Sequence, residues 1–437
     1  MQSVVAGAGV IGFEGLTNRL KLFGQEKNFN GEISLYGALS PKASLNTGET
    51  FLALPDGFQY TVFGRSDSPM TNNQPTPILH DGMAVFTSGS LPNSWVLIRN
   101  HENSNFAGSV GAVSGTTPYD AMAAGGTTTL IIDKTSRLPT DSFVSLSGTV
   151  RNCAGGATPW RTWISCEETT VGASNGFAKP HGYCFEVAPR SPSTPVALTQ
   201  MGRFKHEAIA VDKTSGIVYL TEDNNPAGFY RFIPNRYGDL AAGGRLQMLT
   251  VSGRQNYDTR INQTIGTRIL ASWVDIPNPD PASAETNQSA VFEQGFALGG
   301  AVFTRLEGCF AGLDEIYFTS TNGGNQGLGQ VWKYEARKKS KFGYLSLLFE
   351  SPNAQVFDFP DNLCFGTSGN LFICEDGSTE NYIKILTTRG VVSEFAKNIV
   401  PNFESFELTG CTFSPDLKTL FVNIQTPGLT FAIWGNW

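Results

Sequence analysis

The sequence is poor in charged residues and in histidine. Asp, Glu, Lys and Arg together make up 16% of its 437 residues, only 4 residues are His, and the acidic residues exceed the basic ones to give a net charge of −7. An acidic chain without a cluster of Lys and Arg lacks the basic surface that binds nucleic acid or an anionic membrane. No apolar run approaches the roughly 20 residues that a membrane-spanning helix needs. We therefore expect no nucleic-acid partner and no membrane span, whereas metal cations remain suitable partners.

Cysteine is scarce as well. There are 7 cysteines, and this odd number leaves at least one thiol unpaired in an oxidising compartment. Glycine and phenylalanine, in contrast, are abundant, with 48 and 31 residues. Glycine-rich turns between strands of aromatic and β-branched residues are typical of β structure. The composition therefore predicts an all-β protein.

Several stretches of the sequence share the pattern of a short apolar strand with a polar end. They are VLIRNHE (96–102), WISCEE (163–168), VYLTED (218–223), IYFTST (316–321), LFICED (371–376) and LFVNIQ (420–425). A second apolar stretch and a turn precede each of them, so each is the second strand of a predicted β-hairpin. Hairpin units that recur roughly every 50 to 100 residues are typical of a fold in which β units repeat around a central axis. We predict a six-bladed β-propeller.

The same pattern suggests the domain organisation. Residues 1–50 precede the first blade, and we predict that they form an N-terminal arm or a segment that closes the ring. Residues 51–437 are predicted to form a single β-propeller domain that carries the function, because all-β folds of this length often remain one domain. Residues 254–290 are rich in Pro, Asn and Ser, which predicts an irregular insertion between the third and fourth blades.

The polar residues of the hairpins follow a common register. In each hairpin, one polar or potentially metal-binding residue stands near the start of the first strand, and another stands at the end of the second strand. The pairs are His80 and Asp81 with His101 and Glu102, Cys153 with Glu167 and Glu168, Glu207 with Glu222 and Asp223, Glu307 with Thr321 and Asn322, Asp361 with Glu375 and Asp376, and Gly410 with Gln425. The start of one strand and the end of the next lie at the same edge of an antiparallel hairpin. We therefore expect these groups to converge at one mouth of the central channel.

Carboxylates crowded into one channel mouth need compensating cations, because desolvation and mutual repulsion both oppose their ionisation. Oxygen ligands suit calcium, whereas a thiolate among carboxylates suits a transition metal such as iron or zinc. Cys153 is the candidate thiolate, although a cysteine beside a Gly-Gly turn is more often a small buried core residue or a disulfide partner. Arg305 precedes Glu307 by two residues and could simply pair with a carboxylate of the channel.

A set of longer segments carries a family resemblance. These segments are RNHE (99–102), GGTTTLI (125–131), GTVRNCAGGATPWRTWISCEE (148–168), HGYCFEV (181–187), GRFKHEAIAVD (202–212), YLTED (219–223), FTRLEG (303–308) and PDNLCF (360–365). Together they resemble the PhoX-type alkaline phosphatases over roughly residues 80 to 380. The resemblance implies a six-bladed propeller with a funnel-shaped site that holds ferric iron and calcium.

The resemblance also implies a function and a set of site residues. The implied reaction is the hydrolysis of phosphate monoesters, small molecules from which inorganic phosphate is released, with Fe³⁺ and Ca²⁺ as cofactors. The residues that match the family's metal ligands are Glu102, Cys153, Glu168, Glu207, Glu307 and Asp361, and Arg305 matches its catalytic, phosphate-binding arginine. Kinship implies export by the twin-arginine route and a secreted or periplasmic location, although the sequence shows no export signal.

Two other functions remain open at this stage. A calcium-dependent propeller esterase or lactonase would also use a carboxylate-lined channel with a divalent ion, but it gives no reason for Cys153 or Arg305. A propeller without catalytic activity could bind metal ions only to stabilise its ring and present its rim to another protein. Neither alternative needs a transition metal.

Overall fold

A computed structural model describes residues 34–66, 68–337 and 340–437, so most of the predicted N-terminal arm lies outside the described residues. The described residues form an all-β, propeller-like arrangement of sheets with little helix. None of the described helices is long and apolar enough to cross a membrane.

The strands of the first half of the chain are short and are separated mostly by turns. They are β1 (Leu39–Ala43), β2 (Thr50–Pro55), β3 (Phe58–Phe63), β4 (His80–Thr87), β5 (Ser94–His101), β6 (Gly125–Asp133), β7 (Pro139–Thr149), β8 (Asn152–Ala157), β9 (Trp163–Glu167), β10 (Cys184–Val187), β11 (His206–Val211), β12 (Val218–Glu222) and β13 (Tyr230–Pro234).

The second half continues in the same way. Its strands are β14 (Gly244–Val251), β15 (Arg268–Asp275), β16 (Leu306–Ala311), β17 (Glu315–Ser320), β18 (Gln330–Ala336), β19 (Gly343–Glu350), β20 (Pro360–Phe365), β21 (Leu371–Glu375), β22 (Tyr382–Leu386), β23 (Val392–Asn398), β24 (Leu408–Phe413), β25 (Leu420–Ile424) and β26 (Leu429–Gly435). The one described α-helix is α1 (Ala290–Ala297), and short 3₁₀ helices cover Ala173–Asn175, Thr199–Met201, Leu240–Ala242 and Ala282–Glu285.

The described strands group into five sheets. Their strand orders are β4-β5-β6-β7, β10-β9-β8, β11-β12-β13-β14-β15-β19-β18-β17-β16, β1-β2-β23-β22-β21-β20 and β24-β25-β26-β3. The last sheet joins the N-terminal strand β3 to the C-terminal strand β26, with Thr430 paired to Phe63. This pairing links the two ends of the described chain and closes the arrangement.

The nine-stranded sheet corrects one prediction. Residues 254–290 were expected to be irregular, but they contain β15, which pairs with β14 on one side and with β19 on the other. The apolar run from Ile269 to Val274 lies between Pro- and Asn-rich flanks and is long enough for a strand. By pairing on both edges, β15 fuses two groups of four strands into one continuous sheet. The sheets of the described residues are therefore not six separate blades.

All of the hairpins predicted from the sequence are present among the described residues. They are β4–β5, β8–β9, β11–β12, β16–β17, β20–β21 and β24–β25. Their strands are buried on both faces, as β12 and β21 are along their whole length, because neighbouring sheets pack against each side. This explains why these strands are continuous apolar runs without alternation.

The first strands of these hairpins surround a central cavity of about 180 Å³. Neighbouring first strands pack closely because glycine residues lie where the backbones of two strands meet. A Cβ atom at Gly308 would overlap the carbonyl oxygen of Asp361, and one at Gly410 would overlap the carbonyl oxygen of Asp81. The hairpins are thus held around one axis, and this fixes the positions of the side chains at the mouth of the cavity.

Candidate metal centre

The second strand of each hairpin returns to the point where the first strand begins. A backbone hydrogen bond joins the residue that follows the second strand to the residue that precedes the first. The donor and acceptor pairs are Glu102 to Leu79, Glu168 to Arg151, Asp223 to Lys205, Thr321 to Arg305, Asp376 to Phe359 and Gln425 to Glu407, at 2.8 to 3.3 Å. We call the acceptor the leading residue, the donor the trailing residue, and the second residue of the first strand the inner residue.

The inner residues include most of the predicted metal ligands. They are Asp81, Cys153, Glu207, Glu307, Asp361 and Thr409. The sequence register had placed Gly410 opposite Gln425, but β24 begins at Leu408, so the inner residue of this hairpin is Thr409. That register was wrong by one residue, because the number of residues between two polar positions does not reveal where a strand begins.

The carboxyl groups at these positions come together. We define the acid cluster as Asp81, Glu102, Glu168, Glu207, Asp223, Glu307, Asp361, Asp376 and Glu407. Burial raises the pKa of Asp81 well above its ordinary value of 3.8, and repulsion from neighbouring carboxylates of the acid cluster adds to the rise. These neighbours belong to several different hairpins and are Glu102, Glu407, Asp361 and Glu207. The convergence expected from the register is therefore present for the carboxyl groups of the acid cluster.

Other members of the acid cluster show the same perturbation. Burial first, and then neighbouring acids, raise the pKa values of Glu168, Glu207, Glu307, Asp361 and Glu407 well above their ordinary range. The pKa of Asp376 rises to about 6, chiefly because the group is buried. Carboxyl groups in this state resist ionisation unless cations compensate them.

The Cys153 thiol lies inside the acid cluster. Its Sγ atom and single carboxylate oxygens of Glu168 and Glu207 all lie within 4.8 Å of one another, and all three residues are buried. The thiol donates to the carbonyl oxygen of His206 at 3.2 Å. Burial and the charges of Glu207 and Glu168 raise the pKa of the thiol well above 9.0. Burial and the neighbouring carboxylates therefore disfavour the Cys153 thiolate unless a cation compensates its charge.

Arg305 lies at the edge of the acid cluster. Its Nε donates to Asp223 Oδ1 at 3.1 Å and its Nη2 donates to Glu307 Oε1 at 2.5 Å, while Asp376 Oδ2 lies 3.9 Å from Nη2. The side chain is 31% exposed, so the guanidinium faces both the acids and the solvent. It is placed to hold an anion against the acid cluster once the negative charge there is neutralised.

A second arginine, Arg151, lies at another point of the same edge. Its Nε atom lies 2.8 Å from Glu102 Oε1 and 2.9 Å from Glu168 Oε2, and its side chain is 41% exposed. Glu102 also accepts a hydrogen bond from Gln425 Nε2 at 2.7 Å. These contacts fix the orientation of two predicted metal ligands.

Where two acids are adjacent at the end of a second strand, only the second of them faces the acid cluster. Glu167 accepts from the backbone of Gly182 and lies 2.6 Å from His181 Nδ1. Glu222 accepts from Tyr230 Oη at 2.8 Å, and burial raises its pKa to about 7. Successive side chains of a strand point to opposite faces, so the first acid points into the sheet packing and the second to the mouth.

The sequence identified some of these residues and missed others. The structure brings Glu102, Cys153, Glu168, Glu207, Glu307, Asp361 and Arg305 into the acid cluster or into contact with it. Glu407 and Arg151 were missed. The sequence does carry a signal for Glu407, because ELTGC (407–411) is similar to RLEGC (305–309). In the first segment the carboxylate stands at the leading position, and in the second it stands at the inner position. Arg151 precedes Cys153 by two residues, just as Arg305 precedes Glu307.

The acid cluster has the donor chemistry of a metal centre. Its members combine a buried thiol with buried carboxyl groups whose pKa values are raised, and they outnumber the arginines that contact them among the described residues. Carboxylate oxygens are ligands for calcium, and a thiolate beside carboxylates suits iron or another transition metal. The residues present therefore fit a mixed centre of iron and calcium.

Comparisons with known proteins identify the family. A family model described as "Alkaline phosphatase PhoX" matches residues 35–428. The structure is similar to that of Pseudomonas fluorescens PhoX in complex with vanadate, a transition state analogue, with a TM-score of 0.68 and 20% sequence identity, over 93% of this chain and 98% of the other. The curated proteins gave no match to the sequence.

Two further structural matches have lower TM-scores. A gluconolactonase from Xanthomonas campestris matches with a TM-score of 0.45 and 10% identity, over 93% of this chain and all (100%) of the other. Virginiamycin B lyase from Staphylococcus aureus matches with a TM-score of 0.42 and 12% identity, over 86% of this chain and 99% of the other. Neither similarity is close enough to bear on the reaction.

Proposed function

The chain belongs to the PhoX family of alkaline phosphatases and hydrolyses phosphate monoesters, and we propose that it does so at the acid cluster with the help of bound iron and calcium. The observation that carries this proposal is the burial of Cys153 among the carboxyl groups, with Arg305 at the edge of the same cluster. A metal centre that only stabilised the fold would not need a partly exposed arginine beside its ligands.

The proposed metal ligands are the residues that match the family. They are Glu102, Cys153, Glu168, Glu207, Glu307 and Asp361. Cys153 with Glu168 and Glu207 is the set suited to Fe³⁺, and the remaining carboxylates are suited to Ca²⁺. Asp81, Asp223, Asp376 and Glu407 lie in the same cluster and supply further oxygen atoms to the centre.

The chain's own residues bind and orient the substrate. When bound, the ions supply the Lewis acidity that polarises the phosphoryl group for attack in line. Arg305 donates to phosphoryl oxygens, and its planar guanidinium fixes their orientation with two parallel hydrogen bonds. The charge that develops on these oxygens is then stabilised by a donor already in place. No serine or cysteine nucleophile is required, and Cys153 is assigned to the metal centre as a ligand.

We also infer a six-bladed ring and an exported protein. The ring is supported by side-chain contacts that link each hairpin to the next, among them Asn100 to the Cys153 carbonyl, Thr221 to the Glu307 carbonyl, Thr319 to the Asp361 carbonyl and Asn423 to the Asp81 carbonyl. In this interpretation residues 51–437 are one catalytic propeller, and β15 joins the third and fourth blades at their outer edges. Export is supported by family membership alone.

An assay of two substrate classes tests the proposed function. The purified protein, supplied with iron and calcium, should hydrolyse p-nitrophenyl phosphate at alkaline pH and should leave a simple lactone intact. Vanadate should inhibit the phosphatase reaction. Lactone hydrolysis without phosphatase activity would instead support the esterase or lactonase alternative, and a calcium-only protein that is inactive on both would support a binding propeller.

The Arg305→Ala variant tests the role of the arginine. Loss of a charge-assisted pair of hydrogen bonds to the phosphoryl group should lower kcat/KM by about 100-fold, since each such bond contributes about 1.5–3 kcal/mol. Steady-state kinetics with p-nitrophenyl phosphate, inhibition by inorganic phosphate and metal analysis would be measured together. Phosphate affinity should fall while the metal content stays unchanged. A loss of metal in proportion to the loss of activity would show that Arg305 is only an ion-pair partner of Glu307.

A further inference from the structure

Arg151 has the same backbone environment as Arg305. Both are leading residues, and both have positive φ angles, +55° for Arg151 and +38° for Arg305. The Arg151 N–H donates to the carbonyl oxygen of Asn103, and the Arg305 N–H donates to that of Asn224. Each of these asparagines directly follows the trailing residue of the preceding hairpin. Two further leading residues, Leu79 and Phe359, also have positive φ angles, so this conformation belongs to the leading position of the repeated unit and not to the arginines alone.

The two side chains are also bound in the same way. Arg305 Nε donates to Asp223, the trailing residue of the preceding hairpin, at 3.1 Å. Arg151 Nε donates to Glu102, the trailing residue of its own preceding hairpin, at 2.8 Å. Each guanidinium then contacts one acid of its own hairpin, Glu168 for Arg151 and Glu307 for Arg305. The two arginines are therefore equivalent positions of one repeated unit.

The leading residues divide the edge of the acid cluster into two halves. Arg151, Lys205 and Arg305 belong to consecutive hairpins and are all basic, whereas the leading residues of the other hairpins are Phe359, Glu407 and Leu79. An anion is attracted to the basic half, whereas Phe359 and Leu79 on the opposite half carry no charge. The arrangement therefore gives the phosphoryl group a preferred side of the mouth.

We propose that Arg151 is a second phosphate-binding residue, which contacts the phosphoryl group of the substrate from a direction different from that of Arg305. The proposal rests on the phosphatase function proposed above. Only the Nε atom of Arg151 is hydrogen-bonded to described residues, and its side chain is more exposed than that of Arg305, so its Nη atoms can donate to an incoming phosphoryl oxygen. Two guanidinium groups would then share the charge of the phosphoryl oxygens.

Equilibrium binding of inorganic phosphate tests this proposal. Isothermal titration calorimetry would compare the metal-loaded wild type with the Arg151→Ala and Arg151→Lys variants, and the metal content of each protein would be measured. The Arg151→Ala variant should bind phosphate about 10-fold more weakly or worse, the loss expected for one charge-assisted hydrogen bond. The Arg151→Lys variant should recover part of the affinity, because it keeps the charge without the planar fork.

The matched control is Arg161→Ala. Arg161 is an exposed arginine with a φ of +70°, and it lies in the β8–β9 turn at the opposite end of the hairpin that Arg151 precedes. Its replacement should leave phosphate affinity unchanged. Phosphate affinity within about 2-fold of the wild type in Arg151→Ala, or metal loss in step with the loss of phosphate affinity in both Arg151 variants, would overturn the proposal.

The Arg305→Ala variant belongs in the same titration series. If it weakens phosphate binding while Arg151→Ala does not, only the role of Arg151 is refuted. If neither variant changes phosphate affinity, the phosphate site itself has been placed wrongly, and the proposed function at the acid cluster fails with it.

Discussion

We expect the Cys153→Ser variant to lose the transition metal and about 100-fold or more of its phosphatase activity. Replacement of a residue that only hydrogen-bonds to a metal ligand already lowers metal affinity or activity by about 10- to 100-fold, and loss of the ligand itself should have a larger effect. A hydroxyl is far less acidic than a thiol and is a poor ligand for the ion that a thiolate selects. The fold should remain intact, because the exchange replaces one small buried atom in a strand that is otherwise unchanged. Iron analysis and kinetics on p-nitrophenyl phosphate, with circular dichroism to confirm the β fold, would measure the effect.

Cys309→Ser is the matched control for this variant. Cys309 lies in the first strand of another hairpin, is buried, and has a pKa raised by burial alone. Its replacement should leave both the iron content and the turnover close to those of the wild type. Retention of iron and of full activity in Cys153→Ser would refute the assignment of Cys153 as a metal ligand and would make it a core residue like Cys309.

Removal of the metal ions should destabilise the protein, and more so at high pH. In the metal-free protein, burial and mutual repulsion raise the pKa values of Asp81, Glu207, Glu307 and Asp361 well above their ordinary values of 3.8 to 4.5. At a pH between the ordinary pKa values of the unfolded state and the raised pKa values of the folded state, the folded state therefore binds more protons than the unfolded state. Stability is then greatest below the ordinary values and falls as the pH rises through the raised ones.

Thermal unfolding of the chelated and the metal-loaded protein would measure this effect between pH 5 and pH 9, a range of about four units. The midpoint of the chelated protein should fall by several degrees towards pH 9, because each unit of raised carboxyl pKa costs about 1.4 kcal/mol. The loaded protein should show a much flatter profile, since the ions compensate the carboxylates. Parallel pH profiles for the two forms would mean that the acid cluster does not bind the ions.

Much of the fold was predictable because the hairpins carry a local signal. An apolar strand that ends in adjacent acids, as in WISCEE (163–168) and LFICED (371–376), shows both the strand and the end at which its polar groups collect. The grouping of strands into sheets was not predictable in the same way. Pairing of β15 with β19 depends on residues that are far apart in the sequence, and such contacts have no local pattern.

The site was predictable where the residue type was distinctive. A cysteine among acids stands out, and the hairpin register placed Glu307 and Asp361 at the channel mouth before the resemblance matched them to metal ligands. Glu407 was not found because its hairpin places the acid at the leading position instead of the inner one, where the other hairpins carry theirs. Arg151 was not found because an arginine beside a turn is unremarkable until the equivalence of its backbone contacts to those of Arg305 is seen.

Elemental analysis of the protein purified without added metals tests the central claim most directly. If the thiol and the carboxyl groups of the acid cluster hold a mixed metal centre, the protein will contain iron together with calcium, and the iron will be absent from the Cys153→Ser variant purified in parallel. Protein that contains neither ion, or calcium alone, and yet hydrolyses p-nitrophenyl phosphate at the full rate would contradict it.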